Sequence, residues 1–294
     1  MKKLMFLLTF MLMSITLTYV AHAKTIITDG LVSYWTFDRD DMIDSTVKDV
    51  WGKNDATISG NPTIVDGYLN EALEYDGIKD YVNLTNLGDF GSQFGSSTFE
   101  AWIKMEPKLT WKVLFKVFDD QCMGWGIEFN RELDFILAEK PLDEFPDEDL
   151  NLISYYFSRQ TKVIPNGKSC KADRLGKGNL SPDGKWHHVV YTNRANKTSR
   201  ESRIYVDGEL YPQRSYPSEG NIYLPFTAPV FLGAASIHGI PTHFFEGAID
   251  EVRIYNRPLR PSEVIHNFFE SAEALSVEPT QKLSTVWGAL KARR

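Results

Sequence analysis

The chain has 294 residues, a formal net charge of −7, 43% hydrophobic and 13% aromatic residues, and two cysteines. That acidic balance argues against partners recognised through bulk positive charge, namely nucleic acid and anionic lipid surfaces. Two cysteines without suitably spaced histidines also make a poor zinc site.

At the N-terminus, Lys2 and Lys3 precede an apolar run from Leu4 to Val20 and then Ala21-His22-Ala23. This is the pattern of a secretory leader with a small-residue cleavage site. The run, about 17 residues, falls short of the roughly 20 that span a bilayer comfortably. Residues 1–23 are therefore expected to be removed, with a retained anchor as the alternative. The remaining 271 residues start at Lys24 and carry a charge of −9, because the leader holds two lysines and no acid. A secreted, periplasmic or cell-surface location follows, with no membrane insertion after processing. In an oxidising compartment Cys122 and Cys170 are expected to pair. Closing so long a loop contributes about 3–4 kcal/mol when unstrained.

Downstream, LVSYWTFD (31–38) is a β-branched and aromatic run that reads as a first strand. A polar loop with Asp44, Ser45, Trp51-Gly52, Asn54 and Asp55 follows, then two short strands or turns. ALEYDGIKDYVNLT (72–85) reads as a hairpin turning at Asp76-Gly77. SSTFEAWIKM (96–105) and KVLFKVF (112–118) are further strands. WGIEFNRELDFILAE (125–139) reads as a hairpin turning near Asn130-Arg131. An acidic, proline-punctuated insert covers 141–149, LISYYF (152–157) resumes the strand pattern, and a Gly/Lys-rich loop carries Cys170. WHHVVYTN (186–193) is a strand, SRIYVDGELY (202–211) a hairpin turning at Asp207-Gly208, and PVFLGAA (229–235) another strand.

The closing strand, GAIDEVRIYN (247–256), sets the sharpest chemical question. Alternation places Ala248, Asp250, Val252 and Ile254 on one face and Ile249, Glu251, Arg253 and Tyr255 on the other. Val and Ile normally point inward, so Asp250 falls in the inward row. A buried carboxylate there requires a hydrogen-bond donor, a cation or a metal. PSEVIHNFFES (261–271) is the one helical pattern, with Pro261 at its first position. Strands spaced every ten to fifteen residues without crossover helices indicate an all-β, two-sheet antiparallel jelly-roll sandwich over 24–271. The remainder, 272–294, reads as a flexible C-terminal tail, with a docking segment through Leu283, Val286, Trp287 and Leu290 as the alternative.

The order of motifs resembles the laminin-G-like jelly-roll domains of bacterial exported proteins, within the concanavalin A-like lectin/glucanase superfamily. The resembling pieces are LVSYWTFD, ALEYDGIKDYVNL, SSTFEAWIKM, DGKWHHVVYT (183–192), RIYVDGEL, VFLGAA and EGAIDEVRIYNRPLRPSEV (246–264). The stretch from Asp119 to Pro182, with both cysteines, is longer than the resemblance leads one to expect. The resemblance implies two curved sheets packed face to face with loops at a rim. It also implies a structural calcium ion on Asp250 and Asp38, with Asn54 or Asp55 as a further side-chain ligand; calcium takes six to eight oxygens. Pentraxin-like relatives bind ligand near a turn comparable to Asp76 and Asp80, although Asp-Gly is also ordinary turn chemistry.

Glucanases of this fold place acids at alternate positions of one strand, about 5 Å apart. Here Glu132 and Asp134 have that spacing, but Glu139 lies an odd number of residues away and faces the other side. His187 and His188 are adjacent on a strand and point to opposite faces, so they cannot share a ligand. His238 and His243 fall in a Gly/Pro loop. Asn83 and Asn196 fit the glycosylation pattern. Trp111, Trp125, Tyr216 and Tyr223 are candidates for stacking on sugar rings, and equally ordinary sandwich core. These readings converge on an exported, non-catalytic module that binds a glycan or an extracellular protein. The alternatives are a polysaccharide hydrolase or lyase, and a structural or adhesive surface component.

Overall fold

The computed structural model describes residues 26–84, 96–105, 112–118, 124–129, 152–159, 163–164, 167–168, 171–179, 183–195, 200–211, 229–237 and 239–275. The leader, Cys122, Cys170, the acidic insert 141–149, Glu132, Asp134, Asn196, His238, Trp111, Tyr216, Tyr223 and the tail beyond Leu275 lie outside the described residues.

The described strands form two large sheets. Centred in the first is Ser96–Lys104, flanked by Trp186–Ala195 on one side and Glu246–Tyr255 on the other. Beyond Trp186–Ala195 come Arg200–Val206 and Glu209–Leu210; beyond Glu246–Tyr255 come Glu71–Asp76 and Thr63–Asp66, while Leu31–Trp35 also pairs with Glu246–Tyr255. The second sheet runs from Lys171–Asn179 through Leu152–Arg159, Gly124–Phe129, Lys112–Phe118, Phe231–Leu232, Tyr81–Asn83, Ala56–Ser59 and Thr46–Val47 to Met42–Ile43. Pairing is antiparallel except between Ala235–Ile237 and Lys112–Phe118. The expected two-sheet antiparallel sandwich is what forms, with one α-helix among the described residues, Pro261–Leu275.

Period-two alternation explains the core. Phe99, Ala101 and Ile103 of the central strand, with Val189, Tyr191, Ile204 and Val206 beside it, face Leu114, Phe115, Ile127 and Leu232 of the second sheet. Phe99 and Phe115 stack across the interface with ring centroids 5.2 Å apart. Trp35, Tyr75 and Phe245 are also fully buried there.

Several local expectations change. Glu71–Asp76 and Tyr81–Asn83 do not form a hairpin; they belong to different sheets, so Asp76–Asp80 is a corner between layers. The Asp76 carboxylate accepts the amides of Ile78, Lys79 and Asp80, and Gly77 takes φ +72°, which together fix the four-residue connection that carries the chain from one sheet to the other. Both edges of Gly124–Phe129 are filled, by Lys112–Phe118 and Leu152–Arg159, so its partner is not the 132–139 stretch. The Gly/Lys-rich segment 171–179 is a strand at the sheet edge, where lysines are usual and apolar alternation is not required. The Asp207-Gly208 hairpin forms as read, both residues at positive φ.

The terminal helix passes the expected boundary at Ser271 and ends at Leu275. It lies on the outer face of the first sheet, where Leu259 and Val264 pack with Leu31, Val190, Tyr205 and Tyr255 in a second apolar cluster. Phe268 stacks against Trp102 with centroids 5.7 Å apart. Asn267 anchors the helix, donating to a Glu100 oxygen at 2.8 Å and to the Tyr255 hydroxyl at 3.1 Å while accepting the Ile27 amide at 2.9 Å. No helix among the described residues is long and apolar enough to cross a membrane.

Replacing Asn267 with Ala leaves a buried carboxylate oxygen short of a donor, a loss of about 1–3 kcal/mol. Urea unfolding is expected to show this drop, against near-neutral behaviour for Ile265→Ala on the exposed side of the same helix. Equal midpoints for the two variants would show that Asn267 does not anchor the helix.

Candidate functional site

The closing strand does not keep the phase its sequence suggests. Asp250 sits opposite Trp102 and Arg253 opposite Glu100, so three steps on one strand match two on its neighbour. The extra residue is a β-bulge at Glu251, whose φ is +53°. Ile249, Val252 and Ile254 consequently face the core, and Asp250 joins the outer face with Arg253 and Tyr255. The inward placement of Asp250 is thus corrected: its row changes because the bulge advances the alternation by one residue.

On that outer face the helix and strands enclose a network of charges. The Arg253 guanidinium donates to Glu100 Oε1 at 2.8 Å and to Glu251 Oε2, and lies 4.5 Å from the Tyr34 ring centroid. The Tyr34 hydroxyl donates to Glu251 at 2.5 Å, and His188 Nε2 lies 3.0 Å from Glu100 Oε1. Burial pushes the Glu100 carboxyl up, but Arg253 and His188 together more than offset this and hold it below the usual range. Glu100, His188, Glu251 and Arg253 are all essentially inaccessible, so this chemistry holds the scaffold and meets no ligand.

The four residues expected to hold calcium divide into two groups. Asp250 Oδ2 accepts the Leu69 amide at 2.9 Å, and its Oδ1 the Glu251 amide at 2.7 Å. Asp38 reaches the same 67–71 loop, accepting from the Glu71 amide at 3.0 Å and Asn70 Nδ2 at 3.1 Å. Burial, followed by the Glu251 charge, pushes the Asp250 carboxyl well up; burial also raises Asp38. Asn54 and Asp55 belong elsewhere. Asn54 donates to Ser33 Oγ at 2.7 Å, and Asp55 takes Lys48 Nζ at 2.6 Å and the Asp49 amide at 3.0 Å. Among the described residues, no cluster of three or more His, Cys, Asp or Glu side chains comes together to hold a metal.

Asp76 and Asp80 both serve the corner between sheets: buried Asp80 accepts the Asn61 amide at 2.7 Å and the Asp76 amide at 3.2 Å. Trp125 lies in the Gly124–Phe129 strand, its side chain outside the described part. His187 and His188 face apart as expected. His188 joins the buried network, while His187 bridges Asp207 at 2.8 Å and Asp183 at 3.1 Å where the sheet ends. His243 bonds its neighbour Thr242 at 2.9 Å.

One candidate was not picked out by sequence reasoning. Asp49, itself buried, accepts the amides of Tyr34, Trp51 and Gly52 on one oxygen and that of Asn54 on the other. The loop is thereby fixed, and Trp51 stands 50% exposed with its indole N–H donating to the Leu31 carbonyl at 2.9 Å. Val50 beside it is also exposed. A half-exposed indole whose orientation is set by a hydrogen bond is a preorganised stacking surface. The signal available in sequence was Asp49 and Gly52 flanking an aromatic residue in an otherwise polar loop.

Comparison with known proteins places this geometry in context. A laminin-G family model, described as concanavalin A-like lectin/glucanases superfamily, matches residues 76–265, more than half of the chain. Laminin subunit alpha-3 of Homo sapiens is 30% identical over 112 residues, 37% of this chain and 3% of that protein. A sialidase mutant of Trypanosoma rangeli displaying trans-sialidase activity is similar with a TM-score of 0.55 at 17% identity, covering 85% of this chain and 34% of its own. The binding domain of Paraclostridial Mosquitocidal Protein 1 gives a TM-score of 0.53 at 14% identity, covering 82% of this chain and 52% of its own. At these identities the two structures share the fold alone. The chain spans 3% of the laminin subunit and 34% of the sialidase.

The Asp207 hydrogen bond raises the His187 pKa; burial opposes this, and Asp183 adds to the rise. A raised value means the protonated imidazole stabilises the fold fully below its ordinary pKa of about 6.5, and that this contribution is lost as pH rises through the higher folded-state value. Melting temperatures followed from about pH 5.5 to about pH 9 should therefore fall more steeply for wild type than for His187→Gln. Parallel profiles would remove His187 from the pH dependence.

Proposed function

Because the chain belongs to the concanavalin A-like lectin/glucanases superfamily, we propose that it is a non-catalytic binding module acting outside the cytoplasm on a glycan or an extracellular protein. The family joins lectins with glucanases, so fold leaves recognition and hydrolysis both open, and the site has to decide. Trp51 carries the reading: a large aromatic face, half exposed, on a loop held rigid by four amide bonds to Asp49. Such a surface binds a sugar ring with little ordering cost. The leader pattern at 1–23 supports export to a secreted, periplasmic or cell-surface location.

A glycan array with the intact chain tests this. Binding to a subset of glycans is expected, weakened about tenfold or more in Trp51→Ala, the loss typical of truncating a tryptophan at the centre of a contact. Depolymerisation of the bound polysaccharide, lost on Glu132→Gln or Asp134→Asn, would overturn the reading in favour of a hydrolase or lyase.

A structural calcium ion belongs to the same proposal. Asp38 and Asp250 fit it: both carboxyl groups meet the 67–71 loop, and both have raised pKa values that a nearby dication would reverse. Backbone carbonyls and water would complete the oxygen shell. Asn54, through its amide nitrogen, and Asp55 hydrogen-bond to Ser33 and Lys48 rather than to the 67–71 loop. Bound calcium would supply positive charge where the bulge gathers acids. Calorimetry on chelator-treated protein should register calcium binding that raises the melting temperature and is lost in Asp250→Asn; absence of heat with an unchanged melting temperature would reject the ion.

A further inference from the structure

Apart from the buried network and the Trp51 loop, the outer face of the first sheet carries a cleft. It has a volume of about 150 Å³ and lies where Trp186–Ala195 and Arg200–Val206 meet the Pro258–Pro261 segment. Thr192, Arg194, Arg203, Tyr205, Leu259 and Arg260 line it. The grouping follows from alternation. Val189, Tyr191, Ile204 and Val206 face the core, so Thr192, Arg194, Arg203 and Tyr205 project outward, with Thr192 directly opposite Arg203. Arg260 is added by the segment that leads into the helix.

Three arginines therefore line one small cleft in a chain whose net charge is −7; Arg194 pairs across the ladder with Glu201, and Arg203 has a further polar or electrostatic contact of its own. No carboxylate is among its described lining residues. Glu263, in the first turn of the adjacent helix, is held by Arg257 at 2.8 and 3.0 Å and by the Arg260 amide at 2.7 Å, and its charge also acts on Arg260. A second observation is independent of charge. Tyr205 is 2% exposed, and its hydroxyl has no hydrogen-bond partner. A buried O–H donor without an acceptor is unfavourable, and a ligand oxygen would relieve it.

We propose that this cleft binds the oxyanion of an acidic sugar unit, a carboxylate or sulfate carried on a polysaccharide. The planar donor fork of arginine matches such groups, and charge-assisted bonds of this kind are strong. The volume is below the roughly 300 Å³ at which drug-sized pockets begin, so the cleft takes one charged group while the rest of the polymer lies across the surface. The inference rests on the extracellular glycan-binding reading and adds a ligand class and a second place of contact to it.

The test measures binding of the intact chain to polygalacturonate, dextran sulfate and neutral dextran at low and raised salt. At least one charged polymer should bind, more weakly as salt screens the contact, and neutral dextran should not bind through this cleft. The double variant Arg194→Ala/Arg260→Ala should lose tenfold or more of the charged-polymer affinity with an unchanged melting temperature. Tyr205→Phe should weaken binding severalfold while melting at or above wild type, an outcome that a purely structural tyrosine would not produce. Preference for polygalacturonate assigns a carboxylate, and preference for dextran sulfate a sulfate. Charged polymers bound no better than dextran, or bound equally by the double variant, would overturn the cleft while leaving Trp51-dependent array binding intact. Loss of all glycan binding, charged and neutral, would instead overturn the parent reading together with it.

Discussion

The contact on which the outer half of the molecule depends is Arg253 between Glu100 and Glu251. Two carboxylates and one guanidinium removed from water would be a net cost if any were left short of partners. Here His188, Asn267 and Tyr34 supply further bonds to the carboxylates, while Arg253 Nε and His188 Nδ1 stay buried without a partner, so the set is satisfied only in part. The network exists because the bulge at Glu251 brings Glu251, Arg253 and Tyr255 into reach of Glu100 on the central strand. It persists because the terminal helix covers it. Sheet, helix and N-terminal segment are thus tied through one buried set of polar groups, and cutting any one of them exposes the others.

This arrangement constrains where recognition can occur. Acids that look available for chemistry in the sequence are engaged in architecture: Asp49 fixes a loop, Asp76 and Asp80 turn a corner between sheets, and Asp38 and Asp250 organise the 67–71 loop. What reaches solvent in an oriented form is the Trp51 indole and the arginine-lined cleft beside the helix. Both sit on rigid supports, a loop with four amide bonds to one carboxylate and two paired strands. A binding module gains affinity from such rigidity because little ordering remains to be done on association.

Much of the architecture was legible because its signals are local or periodic. The strands at 96–104, 186–195 and 246–255 carry alternating side chains, the Asp207-Gly208 turn has residues that tolerate positive φ, and Pro261 marks the helix start. Lys171–Asn179 was not legible, since an edge strand of glycines and lysines bears no apolar rhythm. Asp76-Gly77 misled for another reason: the same residues that close a hairpin also turn a corner between layers, and only the partners of the flanking strands distinguish the two.

From the sequence alone came the sandwich class, the family resemblance, the leader pattern and the opposite facing of His187 and His188. Each depends on neighbours along the chain or on the order of motifs. Tertiary structure decided the face on which Asp250 lies, the different hydrogen-bond partners taken by Asn54 and Asp55 and by Asp38 and Asp250, and the meeting of Arg194, Arg203 and Arg260 at one cleft. A single inserted residue at Glu251 reverses the phase of every residue after it, and a cleft drawn from two strands and a helix entry has no contiguous signature. Those outcomes are set by registers and contacts between segments far apart in the chain, which a linear pattern does not record.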